Sequence, residues 1–336
     1  MRVLITGGLG YLGGRLIASL TAQGRPALRV LAHGDGPLPE GFPAGVDVRR
    51  GAVEDEAAVR GVCDGVSHVV HLAGPDQRAC QDSLVSALTV SGIGTLRVAE
   101  EAVSAGVERF VYVSTSQVYG STPADRLHEG ARLRPVSPYG VSRVTGEACA
   151  LMVAAQRDMR VVVLRLANGF GSPAFAGTQA WKLVVNDFCL QAVQKREIVL
   201  RRSGKQYRDF IPLTDVVTAL DFFLHLPSEH LRYDVFNIGS GSLCTLFEFA
   251  ERVSARYQQA TGRSVAIRTG VDVEPDMPVR ELDITRASSV GFVPKIDLDA
   301  EIDCALMAAA QVPPALSGVS PADTGAVTDH PASSGH

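Results

Sequence analysis

Three glycines spaced three residues apart follow the first apolar segment, and they constrain the fold more than any other feature. The apolar residues 3–5 lead into Gly7, Gly10 and Gly13, and apolar residues then recur at helical spacing up to Leu20. This pattern predicts a strand, a tight turn and a helix. Glycines at such a turn let phosphates approach the backbone, and the helix N-terminus attracts them. A dinucleotide site is favoured over a purely structural turn, in which glycine is also common.

Strand-like and helix-like segments alternate after this opening. Strands are predicted at residues 2–6, 27–32, 46–50, 67–73, 109–114 and 161–166. This alternation is typical of a doubly wound parallel sheet in an α/β protein. In the second half, strands are predicted at 197–201 and 233–238, and helices near 179–194, 214–226, 245–261 and 298–311.

Several short motifs follow the glycine turn in a fixed order. They are His71-Leu-Ala-Gly74, Phe110-Val-Tyr-Val-Ser-Thr-Ser-Gln-Val-Tyr-Gly120, Ser137-Pro-Tyr-Gly-Val-Ser-Arg143, Leu164-Arg-Leu-Ala-Asn168, Tyr207-Arg-Asp-Phe210, Val235-Phe-Asn-Ile-Gly239 and Leu282-Asp-Ile284. With Thr6 ahead of the glycines, the set resembles the extended short-chain dehydrogenase/reductase superfamily. Within it, the chain is similar to the NAD-dependent epimerase/dehydratase group that acts on nucleotide sugars. The resemblance covers residues 1 to about 310.

The resemblance implies a Rossmann-type doubly wound parallel sheet with a smaller, interleaved C-terminal substrate domain. Residues 1–167 and about 208–240 would form the dinucleotide-binding domain, and residues 168–207 and 241–312 the substrate-binding part. Residues 313–336 are rich in Pro, Ser, Gly, Ala and Thr, which predicts a disordered tail.

The catalytic residues implied by the resemblance are Thr115, Tyr139 and Arg143. Tyr139 would act as the acid/base, and Thr115 would donate to the substrate oxygen. A tyrosine ordinarily titrates near pH ~10, so an acid/base tyrosine needs a neighbouring cation. The family has lysine where this chain has Arg143, four residues after Tyr139 and on the same helix face. The alternative is a surface tyrosine beside a solvated arginine.

The resemblance also implies a set of residues around the cofactor, which would be NAD. These are Gly7, Gly10, Tyr11, Leu12, Gly13, His33, Val53, Leu72, Ala73, Gly74, Ser114, Tyr139, Arg143 and Leu166. A carboxylate after the second strand would favour NAD and an arginine NADP, whereas this chain has Ala32 and His33. Asp35 could reach back from the loop, and no arginine or lysine follows that strand before Arg49. NAD is therefore favoured and NADP stays open.

The substrate side would include Thr115, Ser116, Gln117, Asn168 and Arg208. Arg208 would bind the nucleotide diphosphate, unless it forms a structural ion pair with Asp209.

Five positions that depart from the family pattern affect the expected chemistry. Ser116 and Gln117 stand where the family's 4,6-dehydratases have Asp and Glu, so dehydration by that route is disfavoured. Ala52 and Ser91 replace an acid near the adenine and an asparagine. The family's second diphosphate arginine is Val273.

Composition excludes several other classes of protein. The net charge of −4 comes without long basic runs, so neither nucleic acid nor an anionic membrane is expected as a partner. Six scattered cysteines indicate reduced thiols rather than a disulfide frame or a metal site. No apolar stretch reaches ~18 residues, and the N-terminus begins a strand at once, which together predict a cytoplasmic protein.

The resemblance further implies a homodimer. Residues 82–104 and 140–156 would pair with their copies through Leu84, Leu88, Val98, Leu151 and Val153.

Three functions remain open from the sequence. The favoured one is an NAD(P)-dependent epimerase that acts on a nucleotide-activated or related sugar through a transient ketone. The second is a sugar ketoreductase that uses the same residues and consumes NADPH. The third is a non-catalytic dinucleotide-binding protein that has lost the family's lysine, asparagine and acid.

Overall fold

A computed structural model describes residues 1–24, 27–122, 125–156, 159–272 and 280–313. The strands are β1 Arg2–Thr6, β2 Ala27–Ala32, β3 Asp47–Arg50, β4 His68–His71, β5 Arg109–Thr115, β6 Arg126–Leu127, β7 Arg160–Leu166, β8 Asn168–Phe170, β9 Glu197–Leu200, β10 Tyr207–Arg208, β11 Phe210–Pro212, β12 Val235–Ile238, β13 Cys244–Thr245, β14 Ala266–Thr269 and β15 Glu281–Leu282. The helices are α1 Tyr11–Ala22, α2 Glu56–Val59, α3 Gln77–Asp82, α4 Leu84–Leu88, α5 Thr95–Ser104, α6 Pro138–Ala155, α7 Val184–Lys195, α8 Leu213–His225, α9 Leu246–Thr261, α10 Thr285–Ser289 and α11 Leu298–Ala309.

Seven parallel strands form the central sheet, in the order β12-β7-β5-β4-β1-β2-β3. The chain winds outward from β1 in both directions, so the strand order reverses between β1 and β4. In sheets of this kind, ligands bind outside the carboxyl ends of the strands at such a reversal. The predicted Rossmann-type doubly wound parallel sheet is confirmed, and β12 extends it beside β7.

Side chains alternate between the two faces of the sheet, as they must in a strand. On β1, Val3 and Ile5 pack with α1 and α8, while Leu4 packs on the opposite face with α5 and α6. Both faces are therefore buried, which explains why the strands read as nearly continuous apolar runs.

A smaller region built from the second half of the chain has its own core. It contains buried residues of α7, α9 and α11, among them Phe188, Phe249 and Ile302. Small parallel pairs of strands, β8 with β11 and β9 with β14, connect segments that are distant in sequence. The division into two domains that the sequence suggests stays a prediction.

The predicted strands and long helices are confirmed, with small shifts at their ends. The helix predicted near 179–194 begins at Val184, because residues Gln179–Lys182 form a short 3₁₀ turn. A π-helical segment, Thr89–Gly94, joins α4 to α5 and was not predicted. The predicted tail lies outside the described residues from position 314 onward.

The prediction of a dimer surface is wrong for two of its five apolar residues. Val98 is fully buried and Val153 is nearly so, and both pack in the core between the sheet and its helices. Leu84 is exposed, and Leu88 and Leu151 are partly exposed. The periodicity of the sequence identifies apolar positions but not the surface that covers them.

Helix α1 is tied to the second half of the chain at two points. The hydroxyl of Tyr11 donates to the carbonyl of Gly171 at 2.8 Å, and Arg15 forms a 3.1 Å ion pair with the buried Glu301. The same carboxylate accepts from Thr214 at the start of α8. In the part of the chain that the structure describes, no helix is long and apolar enough to cross a bilayer.

Candidate functional site

The three glycines of the first turn have different physical roles. Gly7 adopts a left-handed conformation (φ +69°), and a Cβ there would lie 3.0 Å from the Ala73 nitrogen. At Gly13, a Cβ would lie 2.4 Å from the Gly7 carbonyl oxygen, so this glycine permits close contact between the helix and the turn. Gly10 precedes α1 in an extended conformation, and among the described residues a Cβ there would meet only the Gly7 oxygen, at 3.2 Å.

The carboxyl ends of the parallel strands bring most of the predicted cofactor residues to one edge of the sheet. Gly7 follows β1, His33 follows β2, Leu72, Ala73 and Gly74 follow β4, and Leu166 ends β7. His33 is exposed, whereas Val53 is buried after β3, against Gly94. Leu12 is partly buried in the first turn of α1, and the hydroxyl of Tyr11 donates to the Gly171 carbonyl at 2.8 Å.

A buried hydrogen-bond chain holds β1 and β4 together just below this edge. His71 bonds the hydroxyls of Thr6 at 2.9 Å and Thr95 at 3.0 Å. Burial, helped by the charge of Arg143, lowers the pKa of His71 to about 3, so its ring is neutral. Sequence reasoning misses this role because it depends on two strands and a helix meeting at one point.

Tyr139 lies in the first turn of α6, next to the turn that follows β5. Ser137 caps this helix by accepting from the Gly140 nitrogen at 3.1 Å, and its hydroxyl is 3.4 Å from Oε1 of Gln117. Gln117 belongs to the 3₁₀ turn Ser116–Val118, whose N-cap is Thr115 at the end of β5. The structure therefore brings Thr115, Ser116, Gln117 and Tyr139 together.

The guanidinium of Arg143 packs over the ring of Tyr139, with its Cζ 4.9 Å from the ring centroid. Its Nη2 donates to the carbonyl of Pro75 at 3.4 Å. A Cβ on Gly74 would lie only 2.5 Å from Nη1, so a larger residue there would displace the guanidinium from this position. These contacts exclude the interpretation of Arg143 as a solvated surface residue, because it is only 7% exposed.

The charge on Arg143 is secure although the residue is buried. Burial alone would lower its pKa, but the attraction of the guanidinium to the deprotonated forms of Tyr139 and Tyr112 outweighs burial and raises the pKa above its usual value. The Nε of Arg143 is buried and has no hydrogen-bond partner among the described residues. A buried donor without a partner is costly, so this atom is suited to an acceptor on a bound ligand.

Ser114, predicted to contact the cofactor, is held by a network inside the protein. Its hydroxyl donates to Glu147 of α6, which also forms a 2.7 Å ion pair with Arg165 of β7. Arg165 in turn bonds the hydroxyl of Tyr119 at 3.1 Å. The network fixes α6, and with it Tyr139 and Arg143, against the ends of β5 and β7.

The two predicted substrate residues of the second region have different surroundings. The side-chain amide of Asn168 donates to the Asp209 carbonyl at 2.9 Å. The Asp209 carboxylate accepts from the backbone of Ser240 and Gly241, at 2.8 and 3.3 Å.

Arg208 is exposed, and among the described residues it bonds only the Tyr207 carbonyl and no carboxylate. The alternative interpretation of Arg208 as the ion-pair partner of Asp209 is therefore wrong. Val273, at the position of the family's second diphosphate arginine, lies outside the described residues.

A basic residue that sequence reasoning passed over lies at the outer end of the edge. Arg50 is the register partner of Ala32, and its guanidinium donates to the carbonyls of Gly34 at 2.9 Å and Gly36 at 2.6 Å. It thus reaches the loop that holds His33 and Asp35. Sequence position gave no signal, because Arg50 lies 17 residues after His33 and only the register of β3 brings it close.

The residues of this edge fit a dinucleotide such as NAD. The glycine turn leaves backbone open at Gly10, where a pyrophosphate would meet the N-terminus of α1. At the other end, Arg143 is buried beside Gly74, and its Nε has no hydrogen-bond partner among the described residues. Gly7, Gly10, Gly13, Leu72, Ala73, Gly74 and Arg143 are the residues that would hold it.

Comparison with known proteins agrees with this architecture. The chain is 29% identical over 330 residues to a UDP-glucose 4-epimerase of Azospirillum brasilense, covering 91% of each chain. It is 26% identical to a dTDP-glucose 4,6-dehydratase of Actinoplanes sp., covering 88% of this chain and 94% of that one. The solved structure of MoeE5 in complex with UDP-glucose and NAD is 28% identical, with a TM-score of 0.75 over 91% of this chain and 98% of that one.

A family model matches the part of the chain that contains the glycine turn, the sheet and both Tyr139 and Arg143. The match extends over residues 3–239 and is described as the NAD dependent epimerase/dehydratase family. The chain therefore belongs to the NAD dependent epimerase/dehydratase family, within the extended short-chain dehydrogenase/reductase enzymes, and NAD is its cofactor.

Proposed function

We propose that the protein is an epimerase that acts on a nucleotide-activated sugar through a transient ketone. The observation that carries this proposal is the pairing of Tyr139 with the buried, charged guanidinium of Arg143, 4.9 Å above its ring. The pair lies at the sheet edge beside Thr115, where the family's oxidation chemistry takes place. The relationship to a UDP-glucose 4-epimerase supports the same reaction class.

Each residue has a defined task in this mechanism. Oη of Tyr139 takes the proton of a sugar hydroxyl when the ring carbon is oxidised, and returns it when the carbon is reduced from the other face. The Thr115 hydroxyl donates to the same sugar oxygen and orients it. Arg143 stabilises the deprotonated oxygen of Tyr139 by its charge. NAD, when bound, supplies the reversible hydride transfer.

Dehydration requires groups that this chain lacks at the corresponding positions. Elimination of water needs an acid and a base near the sugar, and Ser116 and Gln117 carry no carboxylate. Gln117 is instead in contact with the cap of α6 through Ser137. Epimerase activity is therefore favoured over dehydratase activity, although dehydratases are among the relatives.

Product analysis separates the candidates. Purified protein is incubated with NAD and UDP-glucose or dTDP-glucose, and the products are separated chromatographically. An epimerase forms the isomeric sugar nucleotide with no net change in NADH absorbance. A ketoreductase converts a keto-sugar nucleotide and loses NADPH absorbance in equal amount. Absence of turnover both in wild type and in Arg143→Lys would instead favour the non-catalytic alternative.

Arg208 is proposed as a contact for the nucleotide diphosphate. Arg208 forms no ion pair with a described carboxylate, and burial of its guanidinium lowers its pKa, so a phosphate would supply the missing negative partner. Arg208→Gln should weaken sugar-nucleotide binding by about 2–4 kcal/mol while NAD affinity changes little. The measurement is calorimetric titration with UDP and with NAD, and equal loss of both would contradict the assignment. Arg263→Gln, an exposed arginine of another loop, is the control.

The expectation of a homodimer stays a proposal and gains support from one surface. An apolar groove runs between the segment formed by α4 and the π-helical turn and the outer side of α6. Val85 and Ile93 at this groove are 77% and 47% exposed, and Met152 of α6 is 47% exposed. Contiguous exposed apolar residues mark a surface that a partner covers, and a second copy would bring the same helices together.

A further inference from the structure

The outer end of the sheet edge carries a guanidinium where a ribose-binding carboxylate is expected in NAD enzymes. Ala32 ends β2 with no carboxylate, and its register partner on β3 is Arg50. Arg50 donates to the carbonyls of Gly34 and Gly36 in the loop after β2. Two bonds to neighbouring carbonyls fix the plane of the guanidinium, and an arginine has five N–H donors in total. Three donors thus remain for a ligand.

The charges around this guanidinium favour an anion. Among the described residues, Arg50 forms no ion pair with a carboxylate, and its guanidinium bonds only the two backbone carbonyls. The family's acid near the adenine is Ala52 here. His33 adds a ring donor in the same loop, which also carries two carboxylates, Asp35 and Glu40. The adjacent Arg49 differs from Arg50 because it forms a 3.1 Å ion pair with the Asp47 carboxylate, which competes with binding of an anionic ligand.

We propose that this end of the site accepts the 2′-phosphate of NADP, with Arg50 as the main ligand and His33 beside it. Planar guanidinium groups match phosphate oxygens in charge and geometry. An arginine near the second strand accommodates a 2′-phosphate in dinucleotide folds, whereas NAD uses a carboxylate there. In this chain the arginine comes from the third strand. The protein therefore binds NADP in addition to NAD.

The test compares the binding of NAD⁺ and NADP⁺ without any sugar, so it is independent of the proposed epimerase reaction. Dissociation constants are measured by calorimetry on full-length protein stripped of nucleotide. We expect wild type to bind the two within about tenfold of each other. Arg50→Gln should weaken NADP⁺ binding about 10- to 100-fold and change NAD⁺ binding less than about twofold, as expected for a lost charged hydrogen bond.

Matched variants make the result specific. Arg49→Gln, one residue away, should alter neither constant by more than about twofold. Arg50→Glu should reject NADP⁺ more strongly than Arg50→Gln, because it places a negative charge beside the phosphate. Asp35→Asn should leave NAD⁺ binding unchanged. The proposal is overturned if wild type binds NAD⁺ but not NADP⁺, if Arg50→Gln affects both nucleotides equally or neither, or if Asp35→Asn abolishes NAD⁺ binding.

Discussion

At the scale of single residues, Arg143 shows how one large side chain is accommodated at a position where the family resemblance implies a lysine. Its guanidinium occupies the space beside Gly74, bonds the Pro75 carbonyl and stacks on Tyr139. A fixed, permanent cation has replaced a flexible one, and the two are not equivalent in geometry. The consequences for activity can be tested by substitution.

We expect a graded response from three variants of this pair. Tyr139→Phe should reduce turnover about 10²- to 10⁴-fold while NAD stays bound, because only the hydroxyl is lost. Arg143→Lys should keep or increase activity, since the charge is retained. Arg143→Met should reduce turnover by orders of magnitude and weaken NAD binding. The measurements are kcat and the NAD dissociation constant, and unchanged turnover in all three would refute the tyrosine mechanism.

His71 makes the stability of the protein depend on pH. Its pKa is lowered from 6.5 in the unfolded chain to about 3 in the fold, chiefly by burial. Protonation therefore favours unfolding, so the contribution is complete above pH 6.5 and is lost as the pH falls from 6.5 towards 3. Between pH 7 and pH 5, this residue should lower the free energy of unfolding by about 2 kcal/mol.

The variant His71→Phe should remove that pH-dependent part of the stability. Phenylalanine fits beside Phe110 and Tyr112, which flank the imidazole ring, although it loses the two hydroxyl contacts. Urea unfolding at pH 7 and pH 5 gives the difference for each protein. His230→Gln, at an exposed position, should behave as wild type. An identical pH difference in wild type and His71→Phe would show that His71 is not the responsible group.

At the scale of elements, the turn between β1 and α1 contains glycines with two different roles. Gly13 is needed for the packing of the turn, whereas Gly10 is expected to be needed for NAD binding. Gly13→Val should destabilise the protein by about 1–3 kcal/mol or more, because its Cβ would overlap the Gly7 carbonyl. The free energy of unfolding of Gly10→Val should lie within about 1 kcal/mol of the wild-type value. The variant should nevertheless lose NAD binding. Urea unfolding and NAD titration test both. A folded Gly10→Val protein with normal NAD affinity would make this glycine merely a turn residue.

Most elements of the sheet could be predicted from the sequence because strands such as β1, β2 and β5 are largely apolar runs that end at a polar or glycine-containing turn. Residues 27–32 and 109–114 were expected as strands, and the structure has Ala27–Ala32 and Arg109–Thr115. The π-helical segment Thr89–Gly94 could not be predicted, because its apolar and small residues suit an ordinary helix equally well. What distinguishes it is packing against α6, which is a tertiary effect.

The candidate site was only partly predictable for the same reason. Motifs place Tyr139 and Thr115 at the ends of known elements, so their proximity follows from the parallel sheet. Arg50 could not be found because its closeness to Ala32 depends on the register of β3. Adjacency in sequence can also mislead. Arg208 and Asp209 are neighbours but form no ion pair: Arg208 bonds the Tyr207 carbonyl, and the Asp209 carboxylate accepts from the Ser240 backbone.

At the scale of the whole molecule, the exposed groove at α4 and α6 is the surface that we propose for the association of two copies. Ile93→Glu would place a charge in this apolar surface, so we expect monomers where wild type forms dimers. Val293→Glu, at a 72% exposed residue elsewhere, is the matched control and should stay dimeric. Light scattering at micromolar concentration gives the mass. A wild-type protein that is already monomeric would contradict the dimer.

The two ties on α1 have a consequence for how long a cofactor stays in the protein. Tyr11 and Arg15 fasten the first turns of this helix to Gly171 and Glu301, so the helix cannot swing away from the sheet by itself. The helix N-terminus, which would hold the pyrophosphate, is thus fixed against the second region. We expect slow exchange, with the same molecule reused over many turnovers. Such retention suits a reaction that returns its cofactor unchanged.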